Sequence, residues 1–136
     1  MLEAYCWPPS VAPGDEVALH VATDGGQVRV EVARDGLDRE VVWRGEVDAR
    51  AHDTPPDASA AGCGWPAAGT IPVGADWRSG YYAVTCTAGD ERADAFLIVR
   101  PDPSEPAPVL LVLSTTTWQA YNDWGGPSLY LSLIHI

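Results

Sequence analysis

Hydrophobic and polar residues alternate along much of the first hundred positions. From Glu16 to Thr23, Val17, Leu19 and Val21 alternate with Glu16, Ala18, His20 and Ala22, the two-residue period of a half-buried strand. Val28, Val30 and Val32 then alternate with Arg29, Glu31 and Ala33. Asp24-Gly25-Gly26 between them reads as a turn, so the two segments are expected to pair as antiparallel neighbours. Asp35-Gly36 breaks the second, and Val41, Val42 and Trp43 mark a short third strand over Glu40 to Arg44. Thr70 to Val73 is a short extended piece. Ser79-Gly80 turns into Tyr81 to Thr87, with Tyr82, Val84 and Cys86 on one inward face. Ala88-Gly89-Asp90 is a hairpin turn, and Ala95 to Arg100 closes the series. Upstream, Val11-Ala12-Pro13-Gly14-Asp15 is a turn, because Pro presets the first central φ and Gly accepts a positive one next. Residues 48–69 lack a period and are rich in Asp, Ala, Gly and Pro, so a long surface connection is expected there, anchored by Trp65. About seven short strands at this spacing predict a mainly β fold, an immunoglobulin- or fibronectin-like β-sandwich over residues 1–100.

The pattern changes at Pro101-Asp102-Pro103-Ser104-Glu105-Pro106-Ala107-Pro108, a stiff, extended spacer over 101–108. Val109-Leu110-Leu111-Val112-Leu113 follows, a continuous apolar run of the kind found in a strand buried on both faces of a parallel sheet. Ser114 to Asn122 would then be the loop at its carboxyl end, the edge where open α/β sheets bind ligands. The alternative is that the run adds an edge or face strand to the sandwich. Only residues 108–136 remain, whereas a parallel sheet needs several βαβ units to cover its first strand. Residues 109–130 are therefore expected to be the start of a truncated α/β domain, and the chain a fragment. Leu131-Ser132-Leu133-Ile134-His135-Ile136 resembles the translation of a transposon-end sequencing adapter and departs in composition from what precedes it. It is expected to be a non-native tail, and His135 carries no functional weight.

Composition supports the strands and narrows the partners. The 12 Pro and 13 Gly in 136 residues suit short strands joined by turns, because both residues interrupt helices. There are 19 acidic against 8 basic residues, a net charge of -11, with no basic cluster. Nucleic acid and anionic membranes are excluded as partners, since both require neutralising Lys or Arg. All the basic residues are Arg, a usage that looks like translation of a GC-rich bacterial gene. Cys6, Cys63 and Cys86 lack metal-type spacing. Reduced thiols are expected, with a Cys63–Cys86 bridge as the alternative. Met1 to Trp7 has no basic n-region or apolar h-region, and no run of about 18 apolar residues exists. A soluble, cytoplasmic protein is the expectation.

Thr117-Trp118-Gln119-Ala120-Tyr121-Asn122-Asp123-Trp124-Gly125-Gly126-Pro127-Ser128-Leu129-Tyr130, preceded by Val109 to Ser114, resembles the start of the catalytic domain in the N,N-dimethylformamidase large (beta) subunit family. Tyr5-Cys6-Trp7-Pro8, Val11 to Asp15, Ala61-Gly62-Cys63-Gly64-Trp65-Pro66 and Asp76 to Tyr82 look like that family's N-terminal region, in the same order. The resemblance implies an amidohydrolase that cleaves the C–N bond of a small formamide-type amide, using a mononuclear iron held by two tyrosines and a glutamate. A small amide would be its substrate, and a small subunit or further copies of the chain its partners. A Tyr phenolate is a hard anionic ligand suited to a ferric ion, and such an iron could polarise an amide carbonyl and acidify a bound water. Tyr121, after the apolar run, is the candidate metal ligand and Tyr130 the second choice. No Glu follows Glu105, so the third ligand is absent and the chain alone is expected to be inactive and to hold no iron.

Without the resemblance, Trp118, Tyr121, Trp124 and Tyr130 read as aromatics packed under a loop. The sandwich could then be an accessory binding domain, for carbohydrate or protein, of an unrelated enzyme. His20 faces outward on a strand, and His52 sits beside Asp53 and Asp57 in a polar loop; both read as solvated surface. Ser114 has no G-x-S-x-G elbow and no His partner. Cys63 and Cys86 read as buried or loop thiols.

Overall fold

The computed structural model describes residues 1–104, 106–124, 126 and 128. The chain divides into two compact units. The first takes Met1–Ala51 and Pro66–Val109, the second His52–Trp65 and Leu110–Ile136.

The first unit is all β. Its strands are β1 (Glu3–Trp7), β2 (Ser10–Val11), β3 (Glu16–Ala22), β4 (Gly26–Arg34), β5 (Glu40–Ala49), β6 (Gly69–Pro72), β7 (Gly80–Ala88) and β8 (Glu91–Val99). The helix between β5 and β6 is α1 (Ala58–Ala61). Three strands form one sheet in the order β1-β3-β6, and five form another in the order β2-β8-β7-β4-β5. Val17, Leu19 and Val21 of the first sheet and Val28, Val30, Val32, Tyr82, Val84 and Leu97 of the second share one buried core. Burying each such side chain contributes roughly 1.5–3 kcal/mol. A one-residue slip would turn every one of them outward, so the alternation sets the register. The mainly β expectation is met.

The expected pairing of the segments at 16–23 and 28–33 is not. β3 pairs with β1 and β6, and β4 with β5 and β7. The chain crosses between sheets at Thr23, whose N–H donates to the Arg50 carbonyl at 3.1 Å. A Gly-rich reversal serves a hairpin and a sheet-to-sheet crossing equally well, so pattern alone does not separate them. β7 and β8 do form the expected hairpin, closing from Ala88 and Glu91. Ala12 to Asp15 is the expected turn: Gly14 has φ 86°, and the Asp15 N–H donates to the Ala12 carbonyl at 3.2 Å.

β5 is longer than its expected Glu40–Arg44 and forms the edge of the larger sheet. Its register against β4 shifts between Val32, opposite Trp43, and Ala33, opposite Val41. Val42 is therefore an extra residue, a bulge of the kind that bends an edge strand and re-aims its side chains. Near the start of β7, the Tyr82 hydroxyl donates to the Arg78 carbonyl four residues back, at 2.5 Å, the arrangement of a tyrosine corner.

The second unit contains α1 and α2 (Thr115–Tyr121). Trp65 is its buried anchor, as expected: it is 4% exposed, its Nε1 donates to the Asp53 carbonyl at 3.0 Å, and Trp124 lies 5.5 Å from it at 34°. His52 stacks near the same ring at 6.3 Å. Two expectations change here. Ser114 to Asn122 is not a loop, because Thr115–Tyr121 is helical, with the Ser114 carbonyl accepting from Thr117 and Trp118. Val109–Leu113 enters no ladder among the described residues, and Val109, Leu110, Leu111 and Val112 are 62–86% exposed. A strand buried on both faces needs neighbours to pair with, and none of the described strands takes that place.

Candidate functional site

Two places carry chemistry, one in each unit. In the second unit α2 displays Trp118 and Tyr121, three residues apart and so on one helical face. Both are exposed, Tyr121 by 63%, and α2 has no buried residue at all. Beyond it, the Asn122 Oδ1 accepts from the Trp124 N–H at 3.1 Å. Ser at the N-cap position and Asn at the C-cap were the sequence signals for this helix. The three consecutive threonines, weak helix formers, masked them.

An exposed phenol at a helix end is a fitting hard oxygen donor, but one donor is not a metal site. Among the described residues no three His, Cys, Asp or Glu side chains gather where an ion could be held. The described side chains therefore do not fit a complete iron centre. Tyr130, His135 and the whole adapter-like segment 131–136 lie outside the described residues.

The remaining sequence candidates are dispersed. His20 stacks on Tyr5 across β1 and β3 at 4.5 Å and 6°. His52 belongs to the Trp65 cluster. Ser114 precedes α2 and is exposed. None of the three cysteines is in a disulfide, so the Cys63–Cys86 bridge is not formed. Burial pushes the Cys6 thiol up to about 12 and the Cys86 thiol to about 11, away from the reactive thiolate form.

The second place was not visible in the sequence. At the end of the larger sheet, a cleft of about 250 Å³ is lined by Arg34, Glu40, Val42, Trp77, Arg78 and Tyr82, among others. Trp77 stacks on Tyr82 at 5.2 Å. The Arg78 guanidinium is tied to Glu40 at 2.9 Å. Arg34 donates from Nη2 to the Ser79 carbonyl at 3.1 Å, while its Nε is buried with no acceptor. Burial pushes the Tyr82 phenol up, with Arg34 and Arg78 opposing the rise. Residues so far apart in the chain meet only once β4, β5 and β7 are aligned, which explains why no motif announced them.

A family model described as N,N-dimethylformamidase beta subunit-like, C-terminal, matches residues 29–133. No curated protein matches the chain. The family match begins inside β4 and runs through β5, β6, β7, β8 and α2.

Proposed function

The chain belongs to the N,N-dimethylformamidase beta subunit-like family, and from that premise we propose that it is part of an amidohydrolase acting on a small amide. In that reaction water adds oxygen to the carbonyl carbon, the C–N bond breaks, and the amine leaves with a proton. The observation that carries the reading is the single family match spanning both the sandwich strands and the Tyr121 helix. One family accounts for both, which disfavours a sandwich attached to an unrelated enzyme.

Tyr121 is the residue we assign to the metal, as one ligand of an iron whose other ligands lie outside the described residues. Its exposure supports the assignment, since a phenol already packed in a core would be unavailable to an ion. A seven-residue helix with no buried face is marginal on its own in water. It and the exposed run at 109–112 fit a place against further α/β structure, with Val109–Leu113 as a strand of it. The 136-residue chain alone is then inactive. A cytoplasmic location is part of the same proposal, supported by cysteines that stay outside any disulfide; no helix among the described residues is long and apolar enough to cross a membrane.

The test is Tyr121→Phe in the full-length enzyme, with iron measured by elemental analysis and amine release from N,N-dimethylformamide followed in parallel. Loss of both is expected. Iron and turnover both retained would remove Tyr121 from the site, and a wild-type enzyme without iron or amidase activity would sink the reading itself. The isolated 136-residue chain is expected to hold no stoichiometric iron; an iron signal there that vanishes in Tyr121→Phe would overturn the claim that its site is incomplete.

A further inference from the structure

The cleft at the end of the larger sheet holds a cation without a counter-ion. Among the described residues, Arg39 and Arg44 both meet Glu31, Arg78 meets Glu40 and Arg92 meets Asp94. Arg34 meets no carboxylate, although it is half-buried and the chain carries 19 acidic residues. A guanidinium taken from water without a counter-charge costs stability, and here its Nε is shielded as well as unpartnered.

The surroundings hold this side chain in place. A Cβ at Gly36 would stand 2.9 Å from its Nη1, and one at Gly80 would stand 3.3 Å from its Nε. Two glycines thus leave the room that the guanidinium plane occupies. The guanidinium donates to the Ser79 carbonyl and meets the Tyr82 hydroxyl, while its Nε has no acceptor. The charged neighbours decide what could fill the gap. Glu40 is engaged by Arg78, and Asp76 stands on the rim. One unpaired cation beside acidic neighbours suits a singly charged anion better than a doubly charged phosphate. The planar fork of a guanidinium matches a carboxylate, and the Trp77 ring and Val42 offer a wall for its carbon skeleton.

We propose that this cleft is a carboxylate receptor, in which the Arg34 guanidinium binds the carboxylate of a small organic acid or an Asp or Glu side chain of a second copy of this chain. The inference is independent of the amidohydrolase reading and uses none of its residues. The test is nuclear magnetic resonance of the arginine Nε–H groups in the ¹⁵N-labelled chain, with Arg34 assigned through its own backbone so that no variant is required. Shielding of its Nε slows proton exchange and keeps the resonance visible. Sodium acetate is titrated against sodium chloride at equal ionic strength. A saturable shift of Arg34 with acetate only, and an acetate affinity read at the Trp77 indole N–H in the same cleft that falls about tenfold in Arg34→Lys, establish a free acid as ligand. A shift that follows protein concentration without acetate in a chain carrying Leu110→Asp and Val112→Lys, which removes the exposed apolar run, with a dimer in sedimentation, establishes the second copy. An Arg34 resonance that stays fixed in both series, or moves no more than those of the surface residues Arg29 and Arg50, overturns the proposal.

Discussion

The Tyr82 hydroxyl reaches back to the Arg78 carbonyl over 2.5 Å, closing the loop that leads into β7 while the Tyr82 ring stays fully buried. Removing only the oxygen, in Tyr82→Phe, leaves a part-buried carbonyl without its donor and is expected to cost about 1–3 kcal/mol. Tyr82→Ala also empties the space beside Trp77 and is expected to cost about 3–5 kcal/mol. Urea unfolding of both variants checks the order. Equal stability of Tyr82→Phe and wild type would show that the bond contributes nothing.

The two buried thiols make the sandwich sensitive to alkali. Cys6 and Cys86 ionise ordinarily near 9.0, and burial raises them to about 12 and about 11 in the fold. Both folded values lie above the unfolded ones, so this stabilisation is complete below pH 9. It is lost as pH rises from there towards 11 to 12. In that window the unfolded chain has released protons that the folded chain keeps, and stability falls by up to about 1.4 kcal/mol per pH unit for each thiol. Urea midpoints at pH 8 and pH 10.5 measure the loss, and Cys86→Ala should reduce the slope. In the native protein at pH 8, a thiol reagent should modify Cys63, which is only half-buried, well before the other two.

Much of this core was legible because small or polar residues, Ala18 and His20 in β3 and Arg29 and Glu31 in β4, separate the inward ones. The same period runs from Leu2 into β1, with Leu2, Ala4 and Cys6 buried. There the outward positions hold Tyr5 and Trp7, so the contrast that reveals a strand was absent. The partner of each strand was not legible, since Asp24-Gly25-Gly26 permits either a hairpin or a change of sheet. Tyr121 could be singled out by resemblance, but its helical setting was masked, because Thr115 to Thr117 are weak helix formers and the segment reads as a loop. The Arg34 cleft draws on β4, β5 and the turn before β7, a juxtaposition that no local pattern encodes.

The exposed run at Val109, Leu110, Leu111 and Val112 should make the isolated chain self-associate. Contiguous apolar surface of this kind marks a contact to be made or an aggregation site. Leu110→Asp with Val112→Lys, far from the sandwich core in sequence, is expected to leave the unfolding midpoint unchanged while returning the chain to a monomer in sedimentation velocity. Association that persists in the double variant would place the sticky surface elsewhere.

Trp65 gives the long connection after β5 a large buried anchor, and two of its interactions can be separated. Its Nε1 donates to the Asp53 carbonyl, and its ring meets Trp124 at 5.5 Å. Trp65→Phe removes the first and keeps much of the second, whereas Trp124→Ala does the reverse. Aromatic pairs at this spacing contribute about 0.5–1.5 kcal/mol beyond burial, so a double-mutant cycle of Trp65→Ala with Trp124→Ala, each of which removes the ring contact, should return a coupling of that size. Because both rings belong to the second unit, the effect should be local. Limited proteolysis between Ala51 and Gly64 should accelerate in Trp65→Ala, while urea unfolding of the sandwich, followed by the near-ultraviolet signal of Tyr82 and Trp77, stays in place. A sandwich that loses stability in step with the faster cleavage would show that the two units unfold as one.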